Sequence, residues 1–120
     1  MITCKVLYFA LKSKCRDKFD KFYLSDINLD LVTSYNAVKN YPYKVIGRYQ
    51  ELFKNHSKEF YLRLREKPVS SDPVHIGARF LYLNRYSFKG IYRLNVRGEF
   101  AGSFSTREYN NDNFRNKIIW

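Results

Sequence analysis

Cysteine is scarce in this sequence, and long apolar runs are absent. Its 120 residues hold two cysteines, Cys4 and Cys15. They form no Cys-x-x-Cys pair and have no histidine nearby at ligand spacing, which argues against both a disulfide scaffold and a zinc site. We read them as two reduced thiols that pack as small hydrophobes. No apolar stretch approaches the ~20 residues that cross a bilayer, so a membrane partner is not expected. Lys5, Lys12 and Lys14 interrupt the first residues, and no small-residue cleavage site follows, so no secretory signal is read there. Histidine is limited to His56 and His75. Neither stands in a ligand cluster or in a Ser/His/Asp arrangement, so no metal site and no catalytic residue is assigned; each reads as a surface or capping residue.

Acid is the other scarcity. Asp and Glu number 11 against 22 Lys and Arg, giving a net charge of +11. A chain this small with so large a surplus is suited to a polyanion. Hydrophobic residues make up 45% of the sequence and aromatics 18%, with 11 Tyr and 10 Phe. That is enough apolar material for a folded core, which rules out disorder. Basic and aromatic residues together favour nucleic acid, because phosphates take charge and bases offer faces for stacking.

Coarse periodicity predicts a mainly helical chain with one β-hairpin. Residues 5–14 suit a short helix, and Phe22-Tyr23-Leu24 a short buried strand. Asn28 or Asp26 can cap a helix whose apolar stripe is Leu31, Val32, Tyr35 and Val38. Asn40-Tyr41-Pro42 ends it. A second helix is expected from about Tyr43 to Lys54, with Val45, Ile46, Tyr49, Leu52 and Phe53 inward. A third begins at Ser57, with Phe60, Tyr61 and Leu64 inward. Pro68 to Pro73 reads as a linker, and Asp72-Pro73 as the cap and first turn of a helix running to about Arg85. The last third changes character. The runs Ile91–Asn95 and Glu99–Phe104 flank Asn95-Val96-Arg97-Gly98, which predicts a hairpin over 91–104 with Gly98 at positive φ. Arg93 and Asn95 lie two apart on that strand and so share a face. Arg can bridge guanine O6 and N7, and Asn can do likewise with adenine.

The run Phe80-Leu81-Tyr82-Leu83-Asn84-Arg85-Tyr86-Ser87-Phe88-Lys89-Gly90-Ile91-Tyr92-Arg93-Leu94-Asn95-Val96-Arg97-Gly98-Glu99-Phe100 resembles the recognition segment of Dam-type (D12 class) DNA adenine-N6 methyltransferases. That pattern reads Phe-x-Tyr-Leu-Asn-Arg, an aromatic, Asn-Gly-Leu, then Arg, Asn, Gly and Glu-Phe-Asn. A second run, Tyr23-Leu24-Ser25-Asp26-Ile27-Asn28-Leu29-Asp30-Leu31-Val32 with Tyr35-Asn36, resembles the family's cofactor-side segment. The resemblance implies an α+β chain. Residues 1–40 would be a helix-strand-helix remnant of a Rossmann-like S-adenosylmethionine-dependent domain. Residues 41–120 would be a DNA target-recognition domain with hairpin 91–104.

It also implies a function. The family transfers methyl from S-adenosylmethionine to adenine N6 in duplex DNA, at GATC-like sites and on a base turned out of the helix. Such enzymes serve DNA methylation, restriction-modification among its settings, in a bacterial, phage or viral DNA-containing compartment such as the cytoplasm. By resemblance Asp26 would hold the cofactor ribose. Arg93 would read a base, and Phe88 and Ile91 would wedge into the stack. Lys89 would meet phosphate or a base edge. Arg85 would organise the hairpin or touch phosphate, and Asn95 and Arg97 would contact the DNA backbone.

The departures are as informative. The family's glycine-rich Phe-x-Gly-x-Gly loop and its catalytic Asp-Pro-Pro-Tyr do not occur in these 120 residues. Asp72-Pro73-Val74-His75 is not that motif. Lys89 stands for the family's Asn, Ala101 for Asn and Ser103 for Pro. The expectation is a truncated form that binds DNA, holds no cofactor by itself and does not methylate. The alternatives are a stand-alone DNA-binding module, or the recognition subunit of a split enzyme whose catalytic half is a separate chain. The unpaired edge of the strand at Phe22-Leu24 would invite association.

Overall fold

A computed structural model describes residues 21, 23, 25–68 and 70–106. The helix expected over 5–14 lies outside them. So does most of the strand expected at Phe22-Leu24; Tyr23, which is described, sits in no strand and is 91% exposed.

Four α-helices make up the described body, each begun and ended for local reasons. α1 spans Leu29–Asn40; the Asn28 side chain accepts from Leu31 N–H, satisfying one orphan donor of the first turn. α2 spans Pro42–Lys54 and opens on a proline, whose missing N–H is no loss there. α3, Lys58–Glu66, is capped by Ser57 Oγ on Phe60 N–H. α4, Pro73–Tyr86, is capped by Asp72 on Val74 N–H and also starts on proline. These boundaries agree with the sequence reading to within a residue or so. α4 is the central element, and the other three helices pack on it.

The helix faces differ from expectation in one place. The buried stripe of α1 is Leu31, Ser34 and Ala37, while Tyr35 is exposed. Close approach to α4 explains the shift. A Cβ placed on Gly77 would lie 3.2 Å from Ala37 Cβ and 3.7 Å from Ser34 Cα. Only small side chains fit between backbones that near, so the larger Tyr35 turns outward. Ser34 is buried at no polar loss because its hydroxyl donates to the Asp30 carbonyl.

Tyrosine builds the core. Tyr49, Tyr61, Tyr82 and Tyr86 are each at most 1% exposed, and each hydroxyl has a partner. Tyr49 donates to the Tyr86 hydroxyl, Tyr61 to the Gly102 carbonyl at 2.9 Å, and Tyr82 shares a 2.7 Å hydrogen bond with His56 Nδ1. Burial pushes the Tyr61 phenol up to about 12 and raises Tyr49 and Tyr82 as well, so all three stay neutral. Phe53, Phe60 and Phe104 complete the cluster around them. The composition argument that aromatics here serve base stacking is corrected for these residues: most of the described rings hold the helices together.

The hairpin expected over 91–104 is present only as isolated antiparallel bridges, Leu94 with Phe100 and Ser87 with Phe104. No continuous strand forms among the described residues.

Candidate nucleic-acid interface

α4 ends where Ser87, fully buried, turns its hydroxyl back onto the Asn84 carbonyl at 2.8 Å. A tight turn follows at once. Ile91 N–H bonds to Phe88 O at 3.2 Å, with Lys89 at φ 56° and Gly90 at φ 66° between them. Positive φ at both central residues is the type I′ pattern, which favours Asn-Gly. Lysine is an unusual occupant of its first position, since a Cβ in the left-handed region crowds the carbonyl. The Asn of the pattern resembled above suits that backbone, a constraint apart from any contact with DNA.

The chain then runs outward and back. Ala101 N–H bonds to Arg93 O at 2.7 Å and Asn95 N–H to Glu99 O at 2.9 Å. Gly98, at φ 77°, closes the far turn as its pattern predicts. Tyr92 points inward, its ring 4.7 Å from Phe80 and 5.0 Å from Phe100. Its neighbours Ile91 and Arg93 therefore face the other way, and both are exposed. Phe88, 55% exposed, and Lys89, whose ammonium lies 5.3 Å from the Phe88 ring centre, continue the same outer ledge. Leu94, Val96 and Arg97 are exposed too. None of Lys89, Arg93 and Arg97 forms an ion pair with a described carboxylate.

Asn95 is placed differently from expectation. Its Oδ1 accepts from the N–H groups of Arg97 and Glu99, at 2.9 and 3.0 Å, and its Nδ2 donates to Glu99 Oε2. The amide that was to share a reading face with Arg93 is engaged inside the turn, where it fixes the loop carrying Arg93 and Arg97. Arg85 is half-buried near the end of α4, close enough to Tyr49 for its charge to act on that phenol. It therefore sits behind the ledge rather than on it.

Three supports of the ledge escaped the sequence reading. Gly102 is buried, and a Cβ there would lie 2.5 Å from Phe100 Cζ and 3.1 Å from Ser87 Cβ. Its carbonyl takes the Tyr61 hydroxyl, which ties the returning segment to α3. A glycine inside a β-favouring run was the available signal. Ser103 O and Tyr86 O accept from Phe88 N–H and Ser105 N–H, both at 2.7 Å. Arg79, 6% exposed, donates to the carbonyls of Leu64, Arg65 and Lys67 and so caps the C-terminus of α3. Nothing in the sequence distinguishes it from the solvated arginines.

His56 is corrected, whereas His75 keeps a place at the surface. His56 stacks 4.1 Å from the Tyr86 ring within the core cluster, and burial lowers its pKa. His75 is half-buried in an open groove between α2 and the start of α4, where its Nδ1 accepts from Arg48 Nε at 3.2 Å. Burial and the Arg48 charge lower its pKa. Among the described residues no group of His, Cys, Asp and Glu is arranged to hold a metal, and no helix is long and apolar enough to cross a membrane. Asp26 is exposed, with its Oδ1 accepting from Asn28 N–H at 2.8 Å.

Residues 3–119 match the family described as D12 class N6 adenine-specific DNA methyltransferase. This chain belongs to that family. It is 41% identical over 89 residues to the DNA adenine methylase of Escherichia coli (strain K12) and to that of Salmonella typhi, matches that cover 72% of this chain and 32% of either relative. The DNA adenine methylase of Vibrio cholerae serotype O1 (strain ATCC 39541 / Classical Ogawa 395 / O395) is 36% identical over 91 residues, covering 73% of this chain and 33% of that relative. The chain thus spans about a third of the length of the curated relatives it matches. Within the D12 family pattern, the exposed ledge at 88–97 and the buried supports behind it fall inside the matched range.

Proposed function

We propose that this chain carries the target-recognition part of a DNA adenine-N6 methyltransferase and binds duplex DNA at a GATC-like site through the ledge at 88–97. The observation that carries this reading is the ledge itself: Phe88, Ile91, Lys89, Arg93 and Arg97 stand exposed on a backbone pinned to a helical core. Arg93 reads a base edge by a two-pronged hydrogen bond. Phe88 and Ile91 are the apolar wedges that replace lost stacking when the target adenine leaves the helix. Lys89 and Arg97 meet phosphate or a base edge. Asn95 and Arg85 position the loop from within.

Asp26 holds the ribose of S-adenosylmethionine only when the rest of a cofactor site surrounds it, and no step of methyl transfer is assigned to these residues. The 120-residue chain is proposed to bind without methylating, since it contains no glycine-rich loop and no Asp-Pro-Pro-Tyr. A second reading is the recognition subunit of a split enzyme. Exposure of Ile27 (100%) and Leu29 (78%) favours it, because apolar side chains at the start of α1 are the kind a neighbouring catalytic body covers.

Fluorescence anisotropy of a labelled GATC duplex against a scrambled one, at two salt concentrations, tests the proposal. We expect a preference of well over tenfold, weakened by salt in both cases and abolished by Arg93→Ala. Equal binding of both duplexes, unaffected by Arg93→Ala, refutes recognition through the ledge. Methyl transfer by the chain alone, with tritiated cofactor, refutes the non-catalytic part.

A further inference from the structure

The corner between α1 and α2 lies at the opposite end of α4 from the ledge. Val45 Cγ2, one residue past Lys44, lies 3.7 Å from where a Cβ on Gly77 would sit, near the start of α4; Phe53 and Tyr49 instead meet Tyr86, its last residue. From Gly77 to Ser87 the helical rise of ~1.5 Å per residue amounts to roughly 15 Å.

The chain segment that forms this corner is short of acid, although Glu51 and Asp72 line the open groove beside Lys44. Residues 31–50 contain no Asp or Glu, yet they include Lys39, Lys44 and Arg48. Arg48 is paired with Glu51, whereas Lys39 and Lys44 form no ion pair with any described carboxylate. Both lysines are exposed, as are Asn40, Tyr41 and Tyr43, the last at 70%. The Lys44 ammonium lies 5.5 Å from the Tyr41 ring centre, which holds its charge at the corner. Lys, Asn and Tyr side chains are donors that take phosphate oxygens without regard to sequence.

We infer that this corner is a second DNA contact, in which Lys39 and Lys44, with Asn40 and Tyr43 beside them, grip the phosphate backbone in the flank of the recognised site. At ~3.4 Å per phosphate along a strand, the offset from the ledge corresponds to about four or five base pairs. The inference rests on the duplex-binding reading above. It adds affinity and footprint, and no sequence preference.

The test is Lys39→Ala/Lys44→Ala in the full chain, titrated with a long GATC duplex, a long scrambled duplex and a GATC duplex trimmed of its flanks, over a range of salt. The double variant should bind both long duplexes roughly tenfold or more weakly at low salt. Its salt slope should fall by about 1.8, near 0.9 per lost phosphate contact. The GATC preference and binding to the trimmed duplex should stay unchanged, as should thermal unfolding. A merely structural role for the lysines would not alter the slope alone. An unaltered slope overturns the corner contact while leaving the ledge standing. So does a loss of binding to anionic vesicles in place of duplex, which would assign the corner to a membrane surface. If the unaltered chain binds no duplex, the functional reading falls first and this contact falls with it.

Discussion

Replacing Gly102 by alanine should unfold the support of the ledge, although it adds a single methyl group. A Cβ at that position would sit 2.5 and 2.9 Å from Phe100 Cζ and Cε1, and 3.1 Å from Ser87 Cβ. Neither neighbour can yield easily: Phe100 is 7% exposed and packs against Tyr92, and Ser87 is fully buried. Overpacking of this kind costs ~1–3 kcal/mol. Displacing the segment also strains the hydrogen bond from Tyr61 to the Gly102 carbonyl, which contributes about 1 kcal/mol. The expected loss is therefore about 2–4 kcal/mol, a large share of a typical domain's ~5–15 kcal/mol. Gly47→Ala is the matched control. Gly47 lies inside α2 with nothing within 4 Å of an added Cβ, so the same substitution should stabilise by about 0.5–1 kcal/mol through helix propensity. Urea unfolding followed by far-UV circular dichroism measures both, provided the slopes with denaturant agree. A Gly102→Ala variant within about 0.5 kcal/mol of the unaltered chain would refute the packing argument. So would equal and like-signed effects of the two substitutions.

Lys89→Asn should raise stability by about 0.5–1 kcal/mol, because Asn tolerates the left-handed backbone that Lys89 occupies; denaturant midpoints check it. Arg79→Met should lower stability by about 2–3 kcal/mol, since the carbonyls ending α3 lose their charged donor; no change in the thermal midpoint would contradict that capping role. Stability should also decline as pH falls below about 6.5, the ordinary histidine value, because burial lowers the pKa of His56 and His75 and the unfolded chain takes up protons first. The decline is at most ~1.4 kcal/mol per pH unit for each histidine, and His56→Phe should flatten it; a profile level from pH 7 to 5 would count against both burials. Asn95→Ala should weaken binding to GATC and scrambled duplexes alike while leaving the thermal midpoint nearly unmoved, the mark of a loop held in place from within rather than a base contact.

The helices were legible because their signals are local. Asn28, Ser57 and Asp72 cap them, Pro42 and Pro73 open two of them, and the inward sides of α2 and α3 follow the apolar spacing. The turn at Gly98 was equally local, a positive φ written in one residue. The role of the aromatics was not. A tyrosine that stacks on a base and a tyrosine that fills a core are the same letter, and only the packing of α4 against α2 and α3 decides between them. Asn95 shows the same limit at smaller scale: two-residue spacing put its amide on the face of Arg93, and the turn then engaged that amide inward.

What the sequence by itself determined is the four described helices, the cationic surplus and the membership of the chain in the D12 family. These depend on near neighbours and on residue identity. What only the tertiary structure decided is which arginine is buried, which glycine admits no side chain and which rings face solvent. Those depend on atoms brought together from distant parts of the chain: Arg79 on the end of α3, Gly102 against Phe100 and Ser87, and Phe88 left outside while Tyr86, two residues earlier, is sealed in.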